Sequence, residues 1–484
     1  MQTEYLKEQI LARLRMDNPW WTTNTIDEYF QEMQRRLYLD LFYPLVTDTD
    51  LRRGILLMGP RRVGKTVMLY HTVQKLIENG INAQKIIYIS VETPIYNRTS
   101  LEELFDLARI AVATPEDRNG FYVIYDEIQY LKDWEIHLKS VIDTFRNTKF
   151  IASGSAAAAL KKKSQESGAG RFTDFILPPL TFNEYIHLKN LNALMYPSSI
   201  EWLGDKVDCF DTIDIRKLNE HFIHYINYGG YPEVVFSEKI QSNPGLYIRS
   251  DIIDKVLLRD LPSIYGISDV QELNSLFTVI AFHSGSEFSY DNLSKVSGVK
   301  KDTLRKYIEY LQAAFLIKII HKTDVNAKKF QRATSFKIYL TNPSLRCALF
   351  QPIQSVDEKM GDMVETTIFA QWIQRENANI CYANWKEGRG EGEVDIVGLS
   401  ASSQKPLWAV EVKWSDRYFE HSGELKSLLN FMENNHMEQA IVTSIEKRGL
   451  KQMRSVRLQF IPTSVYAYIV GYNTLKEKRQ KIGL

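Results

Sequence analysis

Cysteine is scarce in this chain. Three in 484 residues, Cys209, Cys347 and Cys381, lie far apart and have no metal-ligand spacing. A cysteine-held metal cluster is therefore excluded, and buried thiols of a reducing cytoplasm are expected. A surplus of charge of either sign is missing too. Sixty basic and 59 acidic residues leave a net charge of +1, so nothing attracts the whole chain to nucleic acid. A DNA contact would have to come from a local patch. No apolar run approaches the length of a bilayer span, and no membrane partner is expected. The start, Met1-Gln2-Thr3-Glu4-Tyr5, lacks the basic residues and apolar core of a secretory signal. The expected location is the cytoplasm.

Apolar residues, by contrast, are ample at 44%, and the length suits about three domains. Residues 1–45 read as a helical segment interrupted at Asn18-Pro19-Trp20-Trp21. The two tryptophans suit core packing, with a base-stacking platform as the alternative. Residues 46–190 alternate strand and helix, with strands expected at 54–58, 86–91, 121–125, 149–153 and 174–177. This is the pattern of a parallel sheet between helices. Residues 191–274 read as a helical lid or connector with a turn at Gly229-Gly230-Tyr231-Pro232. Residues 275–348 suggest a winged helix. Residues 349–484 read as helix, strand, strand, helix, strand, a second α/β domain.

The richest motif is Gly59-Pro60-Arg61-Arg62-Val63-Gly64-Lys65-Thr66, followed by Val67. It fits the phosphate-binding loop G-x-x-x-x-G-K-[ST], and an apolar strand precedes it while a helical pattern follows. Glycines let backbone N–H groups close around phosphate oxygens, and the next helix points its positive end at the same anion. Lys65 would reach the terminal phosphates and Thr66 would ligate Mg²⁺. A second apolar strand ends in Asp126-Glu127. Asp126 would hold the Mg²⁺ shell and Glu127 would orient and deprotonate the attacking water.

Ser153 and Ser155 follow the next strand. Each suits either a γ-phosphate sensor or a cap on the following helix. Arg171 suits either a charge-neutralising group for the transition state, from its own or a neighbouring subunit, or a solvated surface arginine.

These residues together resemble the AAA-type ATPases of bacteria and archaea that carry a C-terminal domain of uncharacterised function. The resemblance is carried by residues 59–66, by Asp126-Glu127-Ile128-Gln129, by Gly154-Ser155, and by Gly170-Arg171 leading into Pro178-Pro179-Leu180-Thr181-Phe182-Asn183-Glu184-Tyr185. It spans nearly the whole chain. It implies ATP rather than GTP, favours a catalytic Arg171, and implies assembly through a neighbour's arginine.

Further along, 289–296 and 304–311 read as two helices joined by Ser297-Gly298-Val299, the spacing of a helix-turn-helix. Lys300, Lys301, Arg305 and Lys306 fall at the start of the second helix, where a recognition helix meets DNA. The segment 318–339 would form the wing, with Lys322, Lys328, Lys329 and Arg332 on phosphates. Two readings stand: a DNA reader, or a rigid protein–protein connector with a solvated charged face.

The last signal is Asp395 on one strand and Glu411-Val412-Lys413 on the next, with Glu365 on the preceding helix. Three carboxylates suit a hard cation, with Asp395 and Glu411 as its ligands, and a lysine suits orienting water. Glu365, Asp395, Glu411 and Lys413 resemble the site of the restriction-endonuclease superfamily. Val394 stands where many relatives have proline. An ordinary salt-bridged hairpin and a domain that keeps the residues without the activity are the alternatives.

The resulting expectation is an α/β protein: an AAA-type phosphate-loop ATPase, a helical lid, a winged helix and a restriction-endonuclease-like domain. Its cofactors would be ATP and Mg²⁺, and DNA its partner. The rival is an ATP-driven switch or scaffold that binds proteins and cuts nothing.

Overall fold

Four short, mainly apolar runs and the mixed segment Phe172–Ile176 become strands in the first part of the chain: β1 (Gly54–Met58), β2 (Ile86–Ser90), β3 (Tyr122–Asp126), β4 (Lys149–Gly154) and β5 (Phe172–Ile176). The computed structural model describes residues 2–481 apart from 98, 113–118, 155–169, 325–334, 374, 376–377 and 388–389. It divides the chain into two units, Met1–Pro178 and Pro179–Lys481.

In the first unit all neighbouring strands are parallel, in the order β2-β3-β4-β1-β5. β1 is buried along its whole length, as a central parallel strand must be. The connecting helices include Lys65–Glu78, Leu101–Ala111 and Trp134–Thr144. The chain leaves β1 for the far edge and works back until β4 lies beside β1. The loops after β1, β3 and β4 therefore open on one crevice at the carboxyl ends of the strands.

The exposed edge of β2 is covered rather than left bare. Asn18 donates to the Tyr88 carbonyl (2.9 Å) and accepts from the Tyr88 N–H (2.6 Å), as a neighbouring strand would. Trp20 and Trp21 are buried, and both indole N–H groups donate to the Ile86 carbonyl at 2.9 and 2.8 Å. The tryptophan pair is core packing against the sheet edge.

The second unit begins with a correction. Residues 191–274 read as a helical connector, but Met195–Trp202 (β6) and Asp205–Thr212 (β7) form an antiparallel hairpin. Its turn has Leu203 at φ 52° and Gly204 at φ 91°, the primed geometry that matches strand twist. Leu-Gly in place of Asn-Gly hid it from the sequence.

Nine further strands follow: β8 (Glu287–Ser289), β9 (Ile317–Thr323), β10 (Ser335–Leu340), β11 (Ile380–Glu387), β12 (Gly390–Leu399), β13 (Pro406–Glu411), β14 (Gln439–Ser444), β15 (Gly449–Met453) and β16 (Val456–Pro462). They form one sheet in the order β15-β16-β14-β13-β12-β11-β9-β10-β8. The join is β9 with β11, parallel, through Tyr382 opposite Lys322 and Ala383 opposite Thr323. The expected helix, strand, strand, helix, strand after residue 349 is thus too short a list. It missed strands such as β15, whose alternate exposed and half-buried residues give no apolar run.

Alternation, shifted by one residue at a β-bulge in β12 between Val394 and Val397, sorts the sheet into two cores. Tyr382, Ile396 and Val410 pack with the helices Phe182–Leu188, Ile215–Tyr228, Met360–Trp372 and Thr463–Lys481, whereas Cys381, Val394 and Val397 pack with Lys426–Asn434. Gln371 ties the connector to the last domain: its side chain accepts from the Phe182 N–H (2.9 Å) and donates to the Tyr225 hydroxyl (2.9 Å).

At Gly230 the backbone runs against Asn342. A Cβ there would lie 1.4 Å from the Asn342 amide nitrogen, so only glycine fits.

Candidate functional site

The loop after β1 closes tightly. A Cβ on Gly59 would stand 2.2 Å from the Leu177 carbonyl oxygen. Gly64 has φ 90° and Arg62 φ 63°, both left-handed, and the Lys65–Glu78 helix starts directly after Gly64. Pro60 and Val63 are buried, Arg61, Thr66 and Val67 half-buried, and Arg62 exposed. Lys65 is buried and donates to the carbonyls of Gly59 (3.1 Å) and Pro60 (2.8 Å). Its ammonium thus lies inside the loop at the helix's positive end.

Sequence reasoning missed Arg36. This buried guanidinium donates to the carbonyls of Val63 (2.8 Å) and Pro178 (2.9 Å), bracing the loop against the segment after β5. It sits in Arg35-Arg36, ahead of any motif, and no local signal marks it.

Asp126, buried at the end of β3, is the hub of the crevice. One of its carboxylate oxygens accepts from Thr66 (2.8 Å) and from the Tyr88 hydroxyl (2.7 Å). The other accepts from Ser153 and from the Glu127 N–H (3.2 Å). A hydroxyl and a carboxylate oxygen at this separation are the hard donors that Mg²⁺ takes, so Thr66 and Asp126 fit that ion. Burial, followed by the charge of Asp126, pushes the Tyr88 hydroxyl far above the ordinary tyrosine range. Burial likewise raises neighbouring Tyr70 to about 12. Both remain protonated donors at neutral pH. Tyr88 too was missed, because it reads only as an apolar strand residue.

Glu127 sits at φ 55°, an uncommon conformation for a residue with a side chain, and Gln129 donates to its carboxylate. Ser153 donates to Asp126, and its oxygen lies 3.3 Å from the Glu127 N–H. Ser155 lies outside the described residues.

Arg171 requires a correction. It precedes β5, whose first residue pairs with Gly54 at the start of β1, and the Gly54 N–H donates to the Arg171 carbonyl (2.9 Å). The phosphate loop leaves the other end of β1, about 16 Å along the strand at about 3.3 Å per residue. An arginine side chain does not bridge that length, so the expectation that Arg171 serves its own subunit's γ-phosphate fails. Its guanidinium pairs with Asp143 (2.6 Å), both half-exposed.

In the second unit the three expected carboxylates gather around two lysines, Lys413, itself expected, and Lys337. Asp395 on β12 accepts from the Val412 N–H (2.8 Å) and lies 3.5 Å from the Lys413 ammonium. Glu411 on β13 pairs with Lys413 (2.8 Å) through one oxygen, while its other oxygen is buried without a hydrogen-bond partner.

Glu365, on the Met360–Trp372 helix, accepts from Lys337 (2.9 Å) and the Tyr339 hydroxyl (2.6 Å), both on β10. Lys337 also pairs with Glu393 (2.5 Å). Lys337, Tyr339 and Glu393 were missed. The first two come from a strand assigned to the wing, and only the joined sheet brings them here.

The charges perturb one another. Burial and then Asp395 raise the Glu411 carboxyl to about 7, against the pull of Lys413. Burial also raises Glu365, against Lys337. For Lys337 and Lys413 burial alone would lower the ammonium, but the surrounding carboxylates outweigh it and hold both above the ordinary lysine range. Among the described residues no three His, Cys, Asp or Glu side chains are grouped to hold an ion. Asp395 and the orphaned Glu411 oxygen are hard oxygen donors of the type a cation takes.

Lys300, Lys301, Arg305 and Lys306 are all exposed. They lie at and after the turn between the helices Tyr290–Ser297 and Lys301–Ala313, where Gly298 has φ 77°. Lys301 pairs with Asp291 (2.8 Å), and Arg305 lies over the Tyr290 ring (5.1 Å). Lys322 pairs with Glu287 (3.6 Å). Lys328, Lys329 and Arg332 fall outside the described residues.

Comparison with known proteins agrees with the first unit. Residues 51–186 match the family described as AAA domain, and residues 219–356 match one described as a domain of unknown function. An uncharacterized protein of Haemophilus influenzae is 26% identical over 333 residues, 68% of this chain and 76% of that protein. One from Methanocaldococcus jannaschii is 25% identical over 336 residues, 68% of this chain and 69% of its own.

Among solved structures, Cdc6p from Pyrobaculum aerophilum is 11% identical with a TM-score of 0.29, covering 71% of this chain and 98% of that one. AMPPCP-bound DnaA from Aquifex aeolicus is 14% identical with a TM-score of 0.27, covering 61% and 92%. These likenesses are too slight to carry an argument. The family match, the parallel sheet and the loop geometry give an AAA-type ATPase domain. Among the described residues no helix is long and apolar enough to cross a membrane.

Proposed function

We propose that this protein binds and hydrolyses ATP with Mg²⁺ in the cytoplasm and uses the cycle to control a DNA-acting second unit. The observation that carries the reading is the Thr66 hydroxyl 2.8 Å from the Asp126 carboxylate, beside a buried Lys65 inside the loop. When nucleotide enters, Lys65 would exchange its two carbonyl partners for phosphate oxygens. Thr66 and Asp126 would hold the Mg²⁺, which supplies charge neutralisation on the phosphates. Ser153 and Tyr88 would fix the Asp126 carboxylate, and Glu127 would orient the attacking water and accept its proton. Arg171 would act on a neighbouring subunit's nucleotide in a homo-oligomer.

The second unit would read DNA with a winged helix, through Lys300, Lys301, Arg305 and Lys306, and act on a phosphodiester at a restriction-endonuclease-like site. There Asp395 and Glu411 would hold Mg²⁺, which supplies Lewis acidity. Lys413 would orient water, and Glu365 would set the charge of the pocket. Four basic side chains exposed at one helix start support the first part. The orphaned Glu411 oxygen supports the second. A role in defence or genome maintenance follows from that pairing.

Calorimetry and phosphate release test the ATPase. Lys65→Ala is expected to abolish ATP binding, and Glu127→Gln to keep binding while turnover falls at least about a hundredfold. Unchanged turnover in Glu127→Gln removes that residue from its role. Plasmid and single-stranded DNA with Mg²⁺ or Mn²⁺ test the second site. Cleavage lost in Lys413→Ala supports it, whereas equal inertness of both proteins in every nucleotide state leaves the ATP-driven scaffold.

A further inference from the structure

We infer that a cavity at the amino-terminal end of the parallel sheet, opposite the phosphate loop, binds a small organic phosphate. The cavity holds about 370 Å³, and its lining includes Arg52, Arg53, Arg146, Lys149, Asp48 and Tyr122. That volume suits a small molecule and is far too small for a duplex. β1 starts here at Gly54, β3 at Tyr122 and β4 at Lys149. The nucleotide loop lies beyond the other end of the same strands, about 16 Å away at about 3.3 Å per residue. One ligand cannot serve both places.

The charge is one-sided. Four cationic side chains line the cavity against one carboxylate, Asp48. That carboxylate is already engaged, since one of its oxygens accepts from the backbone N–H groups of Asp50 (2.9 Å) and Leu51 (3.4 Å). Among the described residues no carboxylate pairs with Arg52, Arg53 or Arg146, although the chain as a whole balances its charges almost evenly. Elsewhere arginines find acids: Arg35 meets Glu78 at 2.8 Å and Arg454 meets Glu433 at 3.1 Å.

Lys149 anchors the floor. Its ammonium donates to the Asp48 carbonyl (2.6 Å), and burial lowers its pKa from the usual lysine value. An anion beside it would reverse that shift.

The donor type names the ligand class. Planar guanidinium forks match phosphate oxygens two at a time, and a lysine adds a point charge. The half-buried Tyr122 ring and Leu51 supply an apolar wall. Phosphate on the rim and an organic ring against the wall describe a nucleoside monophosphate or a similar phosphate ester.

The test uses the full chain carrying Lys65→Ala, which disables the phosphate loop, with AMP and pyrophosphate as probes in calorimetry. AMP is expected to bind with 1:1 stoichiometry, more tightly than pyrophosphate. Adding Arg52→Ser and Arg146→Ser should weaken it about tenfold or more without moving the melting temperature. The same two substitutions in a chain with Lys65 intact should leave ATP uptake at the phosphate loop unchanged. No heat with either probe, or equal affinity after the arginine changes, overturns the proposal. So does a short single-stranded oligonucleotide that binds at this rim and that AMP does not displace. Because the loop is disabled in the test protein, failure here leaves the ATPase reading standing.

Discussion

The Lys337 ammonium stands 2.9 Å from a Glu365 carboxylate oxygen, with the two side chains 4% and 18% exposed. The pair fastens β10 to the Met360–Trp372 helix. A buried pair repays its desolvation only while both partners stay. Lys337→Met is therefore expected to destabilise the protein by about 3–5 kcal/mol. Lys337→Met with Glu365→Gln should recover part of that loss. Urea titrations of the four proteins in a double-mutant cycle check it, and strictly additive losses would show that the two groups are not coupled.

Tyr88 and Thr66 share one oxygen of Asp126. Tyr88→Phe removes a hydrogen bond to a charged group, and a stability loss of about 1.5–3 kcal/mol is expected. ATP affinity should stay close to the parent value, while the Mg²⁺ concentration needed for half-maximal turnover should rise. Turnover measured across a magnesium series reads this out. An unchanged series would mean that Thr66 and Ser153 suffice to hold Asp126.

The loop itself has no room. Gly59→Ala places a methyl 2.2 Å from the Leu177 carbonyl oxygen, so nucleotide uptake is expected to vanish. Arg36→Ala should act more gently, loosening Val63 and weakening ATP affinity about tenfold. Calorimetric titration of both variants separates the two outcomes.

Glu411 sets a pH dependence. Its carboxyl is raised from 4.5 to about 7 in the folded protein, so between those values the native state holds a proton that the unfolded chain has released. Stability from this group is full below about pH 4.5 and is lost as pH rises through about 7. Glu411→Gln should therefore flatten the fall in melting temperature between pH 5 and pH 8. Calorimetric scans at the two pH values decide the matter, and an identical fall in both proteins would place the titration elsewhere.

The first unit was largely legible in the sequence. Short apolar runs bounded by turn residues and separated by helical patterns read as buried parallel strands, and the loop after β1 carries its chemistry in consecutive letters. What stayed hidden depends on distance along the chain. Arg36 reaches Pro178, and Tyr88 reaches Asp126, contacts that no window of neighbouring residues reveals. Arg171 looked catalytic through the resemblance its motif carries, yet the register of β5 beside β1 puts it at the end of the strands away from its own phosphate loop. In the second unit Glu365, Asp395, Glu411 and Lys413 could be named from type and spacing. Lys337 could not, because its place depends on β9 pairing with β11 across about sixty residues of intervening chain.

That pairing has a consequence for anyone cutting the protein apart. A break between residues 348 and 349 would strip β11 of its parallel neighbour and leave two open rows of amide and carbonyl groups, one on each fragment. It would also strand Glu365 and Glu393 without their shared counter-ion. Neither half would keep its sheet closed alone, so residues 179–481 stand or unfold as one piece.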